Sequence, residues 1–247
     1  MKRFRALIFD VDGTLAETEE VHRRAFNEAF AYFGLDWEWG TALYKDLLRV
    51  TGGKERIRHF VGATPGSRRD VSDDEIAELH RFKTARYAEL VASGACLLRP
   101  GVENAIRAAV SRGQHLAIAT TTSRESVNAL LSATLGRNAK ELFGVIVAGD
   151  EVRQKKPAPD VYLEVLHRLG LSNFECLAIE DSRNGLLAAS RAGIPVMITR
   201  SSYFQDDEFD GALAVVGSLD DLDPAFSLQP DAKSLEISAP LSGDRFE

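Results

Sequence analysis

The sequence predicts an α/β protein built on a doubly wound parallel sheet, with a helical insertion after the first strand. Three observations predict it. Short apolar runs recur and each ends in a polar cluster, as strands buried on both faces do. Helix-patterned segments separate the later runs. The first two runs stand much farther apart than a single crossover needs.

The runs are Ala6 to Phe9, His115 to Ala119, Val145 to Ala148, Leu177 to Ile179 and Val196 to Ile198. Asp160 to Leu166 and Asn184 to Ala192 carry helical patterns between them. A crossover takes about 30 residues, so the stretch from Asp10 to His115 holds roughly 70 more than required. Within it Val21, Ala25, Phe26, Ala29, Phe30 and Phe33 share one helical face. Thr18 is the candidate N-cap, with Glu19 and Glu20 in the first turn. Ser72-Asp73-Asp74-Glu75 reads as a capping box opening a second long helix, with Ile76, Leu79, Tyr87 and Leu90 on its apolar side. Leu98-Arg99-Pro100-Gly101 marks the return. Residues 1–16 and 91–227 are expected to form the core domain and 17–90 a small helical domain. Residues 228–247, polar and patternless, are expected to be a flexible tail.

The chain has 247 residues, 45% of them hydrophobic. That suffices for a full core without staples and excludes a disordered or collagenous chain. A net charge of −7 disfavours nucleic acid. No apolar run approaches the ~20 residues of a membrane span. Lys2-Arg3-Phe4-Arg5 precedes too short an apolar stretch for a signal peptide. Cys96 and Cys176 lie far apart with no CxxC. They fit a reducing, cytoplasmic setting and exclude a cysteine-rich zinc site. No heptad is present, and a monomer is expected.

Ligands of open parallel sheets bind at the carboxyl ends of the strands. Those ends carry Asp10-Val11-Asp12-Gly13-Thr14, Thr120-Thr121-Thr122-Ser123, Gly149-Asp150 and Glu180-Asp181-Ser182, with Lys155-Lys156-Pro157 shortly after the third strand. Asp10 can point into the site while Asp12 swings beside it on a turn that Gly13 makes possible. Carboxylates this close repel unless a cation or a shared proton relieves them. The oxygen donors of Asp10, Asp12, Glu180 and Asp181 suit Mg²⁺. Thr120, Thr121 and Thr122 sit at a strand-to-helix junction, where they can hold a phosphate or cap the helix that follows. Lys156 can neutralise phosphoryl charge.

In this order the motifs resemble those of the haloacid dehalogenase superfamily, in its phosphatase branch, over residues 4–217. The resemblance implies a Rossmann-like core with an inserted α-helical cap of the beta-phosphoglucomutase-like subgroup. It implies that Asp10 attacks phosphorus and that Asp12 acts as general acid and base. Asp10, Asp181 and the Asp12 carbonyl would hold Mg²⁺, with Glu180 acting directly or through water. Thr120 and Lys156 would hold the phosphoryl oxygens. Candidate substrate contacts from the cap are Glu17, His22, Tyr44, Gly52, Gly53, Lys54, His80 and Lys83, whereas Arg56 and Arg58 are expected to be solvated helix charges. Leu15 to Glu20, His22 to Glu28, Asp36 to Trp39 and Thr51 to Arg56 are similar to CbbY-type proteins. That similarity implies a phosphatase for xylulose-1,5-bisphosphate, a misfire product and inhibitor of rubisco. The link to rubisco would be metabolic and involve no stable complex. A phosphosugar mutase and a broad sugar-phosphate phosphatase remain alternatives. Thr14 sits where the superfamily's hydrolases commonly carry threonine, which favours hydrolysis modestly.

Overall fold

The computed structural model describes residues 4–63, 71–136 and 138–221. The expected tail lies outside the described residues. The chain runs through β1 (Ala6–Phe9), α1 (Glu19–Tyr32), α2 (Thr41–Leu47), α3 (Gly53–Gly62), α4 (Asp73–Ala92) and α5 (Val102–Ser111). It continues through β2 (His115–Ala119), α6 (Arg124–Leu135), α7 (Ala139–Leu142), β3 (Val145–Val147) and α8 (Asp160–Leu169). It closes with β4 (Cys176–Glu180), α9 (Arg183–Arg191), β5 (Val196–Thr199) and β6 (Ala214–Val216).

The strands form one sheet in the order β3-β2-β1-β4-β5-β6, and every pairing is parallel. The alternation of each strand explains why both faces are covered. Leu7, Phe9, Leu116, Ile118, Leu177 and Ile179 pack with Val102, Ile106, Val127 and Leu130 of α5 and α6. Ala6, Ile8, Ala117, Ala178, Val196 and Ile198 pack the other way, with Val161, Val165, Leu186 and Ala189 of α8 and α9. The sequence therefore shows continuous apolar runs and no polar alternation. All five expected strands form. The sixth, Ala214–Val216, has no buried residue and lies at the sheet edge; it ends the apolar stretch Ala212 to Val216, which the five expected strands do not include.

From β1 the sheet grows through β2 on one side and through β4 on the other. That reversal opens a crevice at the carboxyl end of β1. Phe9 lies level with Ile118 and Ile179, so the three central strands deliver their polar ends to one place.

Helices α1 to α4 stand above that crevice. They share an aromatic core of Phe26, Phe30, Trp37, Trp39, Tyr44 and Phe60. Phe30 lies 4.9 Å from Trp39 and 5.4 Å from Trp37, both edge-on, a favoured aromatic geometry. The core loop after β5 contributes Tyr203 to this cluster. The capping box of α4 forms as expected on Ser72 and Glu75. Thr18 occupies the N-cap position of α1 without capping it; its hydroxyl donates to Asp12 Oδ1 at 2.5 Å. The two strands joining insertion and core pair with each other, with Arg99 N donating to Leu15 O at 2.8 Å. The buried Arg99 guanidinium then donates to the carbonyls of Gly13, Thr199, Arg200 and Gly217. No helix among the described residues is long and apolar enough to cross a membrane.

Phe30 is fully buried and far from the crevice floor. Phe30→Ala should destabilise the protein by about 3–5 kcal/mol. Tyr32→Ala, at a position 69% exposed, should cost about 1 kcal/mol or less. Denaturation midpoints of the two variants check this; equal losses would contradict the packing described.

Candidate active site

A cavity of about 430 Å³ lies between the sheet's carboxyl edge and the helical insertion. Asp10, Asp12, Thr120, Lys156 and Asp181 line its floor. Glu19, His22, Phe26, Lys54, Arg56, His80 and Lys83 line its roof.

The floor is built around one lysine. Lys156 Nζ donates to Asp10 Oδ1 at 2.6 Å, to Ala119 O at 2.8 Å and to Glu180 Oε1 at 2.5 Å. Tyr162 donates its hydroxyl to the same Glu180 oxygen at 2.6 Å. Burial works against the Lys156 ammonium, but the charges and hydrogen bonds of Asp10 and Glu180 outweigh it and hold its pKa above the ordinary value. Asp10 and Asp181 shift upward. Burial pushes the Asp10 carboxyl up to about 8, with Lys156 opposing and Glu180 and Asp12 reinforcing. Burial, then the charges of Asp10 and Glu180, do the same to Asp181.

These acids fit a hard cation. Asp10, Glu180 and Asp181 each offer an oxygen within 4.8 Å of the others. Asp181 Oδ2 and Glu180 Oε2 are buried without a hydrogen-bond partner among the described residues, a costly state for a carboxylate. An all-oxygen donor set of this charge suits Mg²⁺. Gly13 is required here: its φ is +76°, and a Cβ on it would stand 1.9 Å from Asp181 Oδ2. Glu180 does not line the cavity. It lies beneath the floor, wholly buried, and holds Lys156 in place.

Asp12 faces the insertion. Its Oδ1 accepts from Thr18 and lies 2.9 Å from His22 Nε2. His22 Nδ1 lies 2.6 Å from Lys83 Nζ, and its ring stacks on Tyr87 at 4.0 Å. Burial and the Lys83 charge, against the pull of Asp12, lower His22 to about 4. A neutral imidazole satisfies the geometry in one way: Nε2–H donates to Asp12, and Nδ1 accepts from the Lys83 ammonium. Burial opposes the Asp12 carboxylate, but His22, Thr18 and Lys83 prevail and hold it at about 2. Burial lowers Lys83 to about 7, Asp12 opposing. His22 and Lys83 are thus fully enclosed partners of Asp12.

The threonine cluster divides between the following helix and the cavity. Ser123 caps α6, its side chain accepting from Ser126 N at 3.2 Å. Thr120, Thr121 and Thr122 are left facing the cavity. At the rim, Lys54 Nζ meets Asp150 Oδ2 at 2.9 Å, and Lys155 Nζ meets Glu55 Oε2 at 3.1 Å. The exposed Lys54 pair is weak, so that lysine is available to an anion; Lys155 is largely covered and also meets Asp150 Oδ1 at 3.3 Å. Gly52, Gly53 and His80 complete this wall.

Two expected contacts lie elsewhere. Glu17 precedes α1 and turns to the core, 3.1 Å from Arg99 Nε and 2.7 Å from Ser202 Oγ. Tyr44 is buried behind the roof and donates its hydroxyl to Glu19 Oε2 at 2.9 Å. Two roof residues escaped the sequence reading. Glu19 was assigned to the helix dipole, although it lies three residues before His22 and seven before Phe26, on the face that meets the cavity. Arg56 was assigned to solvent, yet it reaches Tyr44 Oη at 3.1 Å and lines the cavity. Arg58 is exposed, as expected, and pairs with Asp73.

A strand-end carboxyl group beside a buried lysine and acid pair, roofed by a helical insertion, is the arrangement of a phosphatase of the haloacid dehalogenase type. A family profile for haloacid dehalogenase-like hydrolases matches residues 4–193, and the chain belongs to that family. Its relatives include CbbY proteins. It is 56% identical to protein CbbY of Rhodobacter capsulatus over 211 residues, 84% of this chain and 90% of that protein. It is 50% identical to plasmid-encoded CbbY of Cupriavidus necator over 219 residues, 88% of this chain and 86% of that one. A crystal structure of a D10N mutant of CbbY from Rhodobacter sphaeroides, in complex with xylulose-1,5-bisphosphate, superposes with a TM-score of 0.87 at 45% identity. The match covers 92% of this chain and all of that one.

The His22 environment is testable directly. Its imidazole should titrate near 4 by NMR. Lys83→Met removes the neighbouring positive charge, which should move that pKa upward, toward the ordinary histidine value. An unchanged titration would contradict the Lys83–His22–Asp12 arrangement.

Proposed function

We propose that the protein is an Mg²⁺-dependent phosphatase acting on a sugar bisphosphate, xylulose-1,5-bisphosphate, through a covalent intermediate on Asp10. The observation that carries the reading is the pairing of Asp10 with Lys156 beside the unpartnered Oδ2 of Asp181, beneath a cationic roof. The similarity to a CbbY that binds this bisphosphate supports the choice of sugar.

Asp10 Oδ attacks phosphorus in line, and the bond from phosphorus to the sugar oxygen breaks. The leaving oxygen takes a proton from Asp12. Asp12 rests as a carboxylate, so that proton arrives through His22: Lys83 gives one to Nδ1 as Nε2–H passes to Asp12. The lowered pKa of Lys83 makes it a stronger acid than an ordinary lysine and narrows the gap this transfer must cross. Water then attacks phosphorus and the bond from Asp10 to phosphorus breaks; Asp12 removes the water's proton and returns it through His22 to Lys83, and inorganic phosphate leaves. Lys156 and the Thr120 hydroxyl hold the equatorial oxygens, where transition-state charge collects. Mg²⁺, held by the Asp10 and Asp181 carboxylates and the Asp12 carbonyl, would neutralise phosphoryl and carboxylate charge. The second phosphate meets Lys54, Arg56, Lys155 and His80 at the roof and rim. Closure of the helices excludes bulk water. With this substrate the enzyme would remove a rubisco inhibitor.

Two measurements check the reading. Asp10→Asn should abolish turnover, and Asp12→Asn should lower kcat by about 10²–10⁴-fold, both with intact folds. Phosphate release should be assayed with xylulose-1,5-bisphosphate, ribulose-1,5-bisphosphate, fructose-1,6-bisphosphate and beta-glucose-1-phosphate. A kcat/KM at least ~100-fold higher for the xylulose compound is expected, about 2.7 kcal/mol of transition-state preference. Flat rates across the panel would overturn the substrate, and near-wild-type Asp10→Asn activity would overturn the nucleophile.

A further inference from the structure

We infer that Glu19 is a substrate-contacting residue that selects phosphate esters by the hydroxyl groups of the leaving group. The inference deepens the sugar-phosphatase reading and rests on it.

Glu19 shares the roof face of α1 with His22 and Phe26 and lines the cavity with Asp12. Its orientation is fixed from behind. Tyr44 donates to Oε2 at 2.9 Å and is itself fully buried. Tyr44 is clamped on two sides, by Arg56 Nη1 at 3.1 Å from its hydroxyl and by the ring of Tyr203, edge-on at 5.9 Å. Oε1 of Glu19 has no hydrogen-bond partner among the described residues. Glu19 therefore brings to the cavity wall a carboxyl that is anchored through Oε2, leaves Oε1 unengaged and is not used by the phosphoryl chemistry.

A carboxylate here would repel a phosphate. It is complementary to hydroxyl donors, which a sugar supplies and a simple aryl or alkyl phosphate lacks. The surroundings balance its charge without consuming its free oxygen. Burial pushes the carboxyl up to about 7 and the Asp12 charge adds to this, while Arg56, the Tyr44 hydrogen bond and Lys83 oppose. Such a group accepts a sugar hydroxyl when ionised and also donates to one when protonated. Tyr44 acts through Glu19 and is a positioning residue.

The test compares a hydroxylated substrate with p-nitrophenyl phosphate, whose leaving group has no hydroxyl. Glu19→Ala should lower kcat/KM for the preferred sugar phosphate about 10–100-fold more than for p-nitrophenyl phosphate, chiefly through KM. Glu19→Gln keeps the shape and an acceptor for Tyr44, and should lose less than the alanine variant. Tyr44→Phe should fall between wild type and Glu19→Ala on the sugar phosphate. Equal loss on both substrates, or loss on neither, would overturn the inference. If wild type prefers a different polyol phosphate to the xylulose compound, the substrate named above fails and Glu19 is tested on that polyol. If wild type shows no preference for polyol phosphates over p-nitrophenyl phosphate, the Glu19 inference is overturned too.

Discussion

Three carboxyl groups sit at the switch point of the sheet, against one buried ammonium. Asp10, Glu180 and Asp181 lie within 4.8 Å of one another, and Lys156 reaches only the first two. Everything around the cavity answers that imbalance. Tyr162 supplies a second donor to Glu180. Glycine stands at position 13 because Asp181 occupies the space a Cβ would need. Asp10 and Asp181 are pushed toward their protonated forms until a cation joins them. A centre so short of positive charge is suited to a metal ion and to a phosphoryl group bound beside the lysine.

The insertion solves a different problem. In the proposed reaction Asp12 serves as a base in one half and an acid in the other, and the hydrogen-bond partners of its side chain among the described residues are Thr18 and His22. Thr18, His22 and Lys83 come from the helices above. Acid–base competence therefore depends on the roof being in place. Residues of both parts stitch it down: Tyr203 enters the roof's aromatic core, Thr51 hydrogen-bonds the Lys156 carbonyl, and Lys54 meets Asp150. Water exclusion, proton supply and selection of the leaving group thereby become consequences of one closed arrangement.

The sheet was legible because five strands are buried on both faces and end in polar clusters. The floor of the site followed from them, since a parallel register brings strand ends together without knowledge of side-chain packing. β6 escaped although Ala212 to Val216 is apolar: no chemistry-bearing polar cluster follows it. The roof was legible only as a set of candidates. His22 and Lys83 stand 61 residues apart in sequence, and nothing local reports that α1 and α4 pack side by side. Glu17 and Glu19 differ by two positions, yet one precedes the helix and pairs with Arg99 while the other faces the cavity. Helical phase separates them: positions 19, 22 and 26 share a face that 17 cannot join. Arg56 read as a surface charge because its partners, the Leu47 and Val50 carbonyls and the Tyr44 hydroxyl, are set by tertiary contacts.

The most direct measurement of the central claim is the number of protons released when Mg²⁺ binds. Calorimetric titration at neutral pH in buffers of different ionisation enthalpy gives that number. Carboxyls held protonated by burial and mutual repulsion must give up protons to a cation. The account predicts net proton release on binding, diminished in Asp181→Asn. Mg²⁺ binding with no proton release, or with the same release in Asp181→Asn, would contradict it.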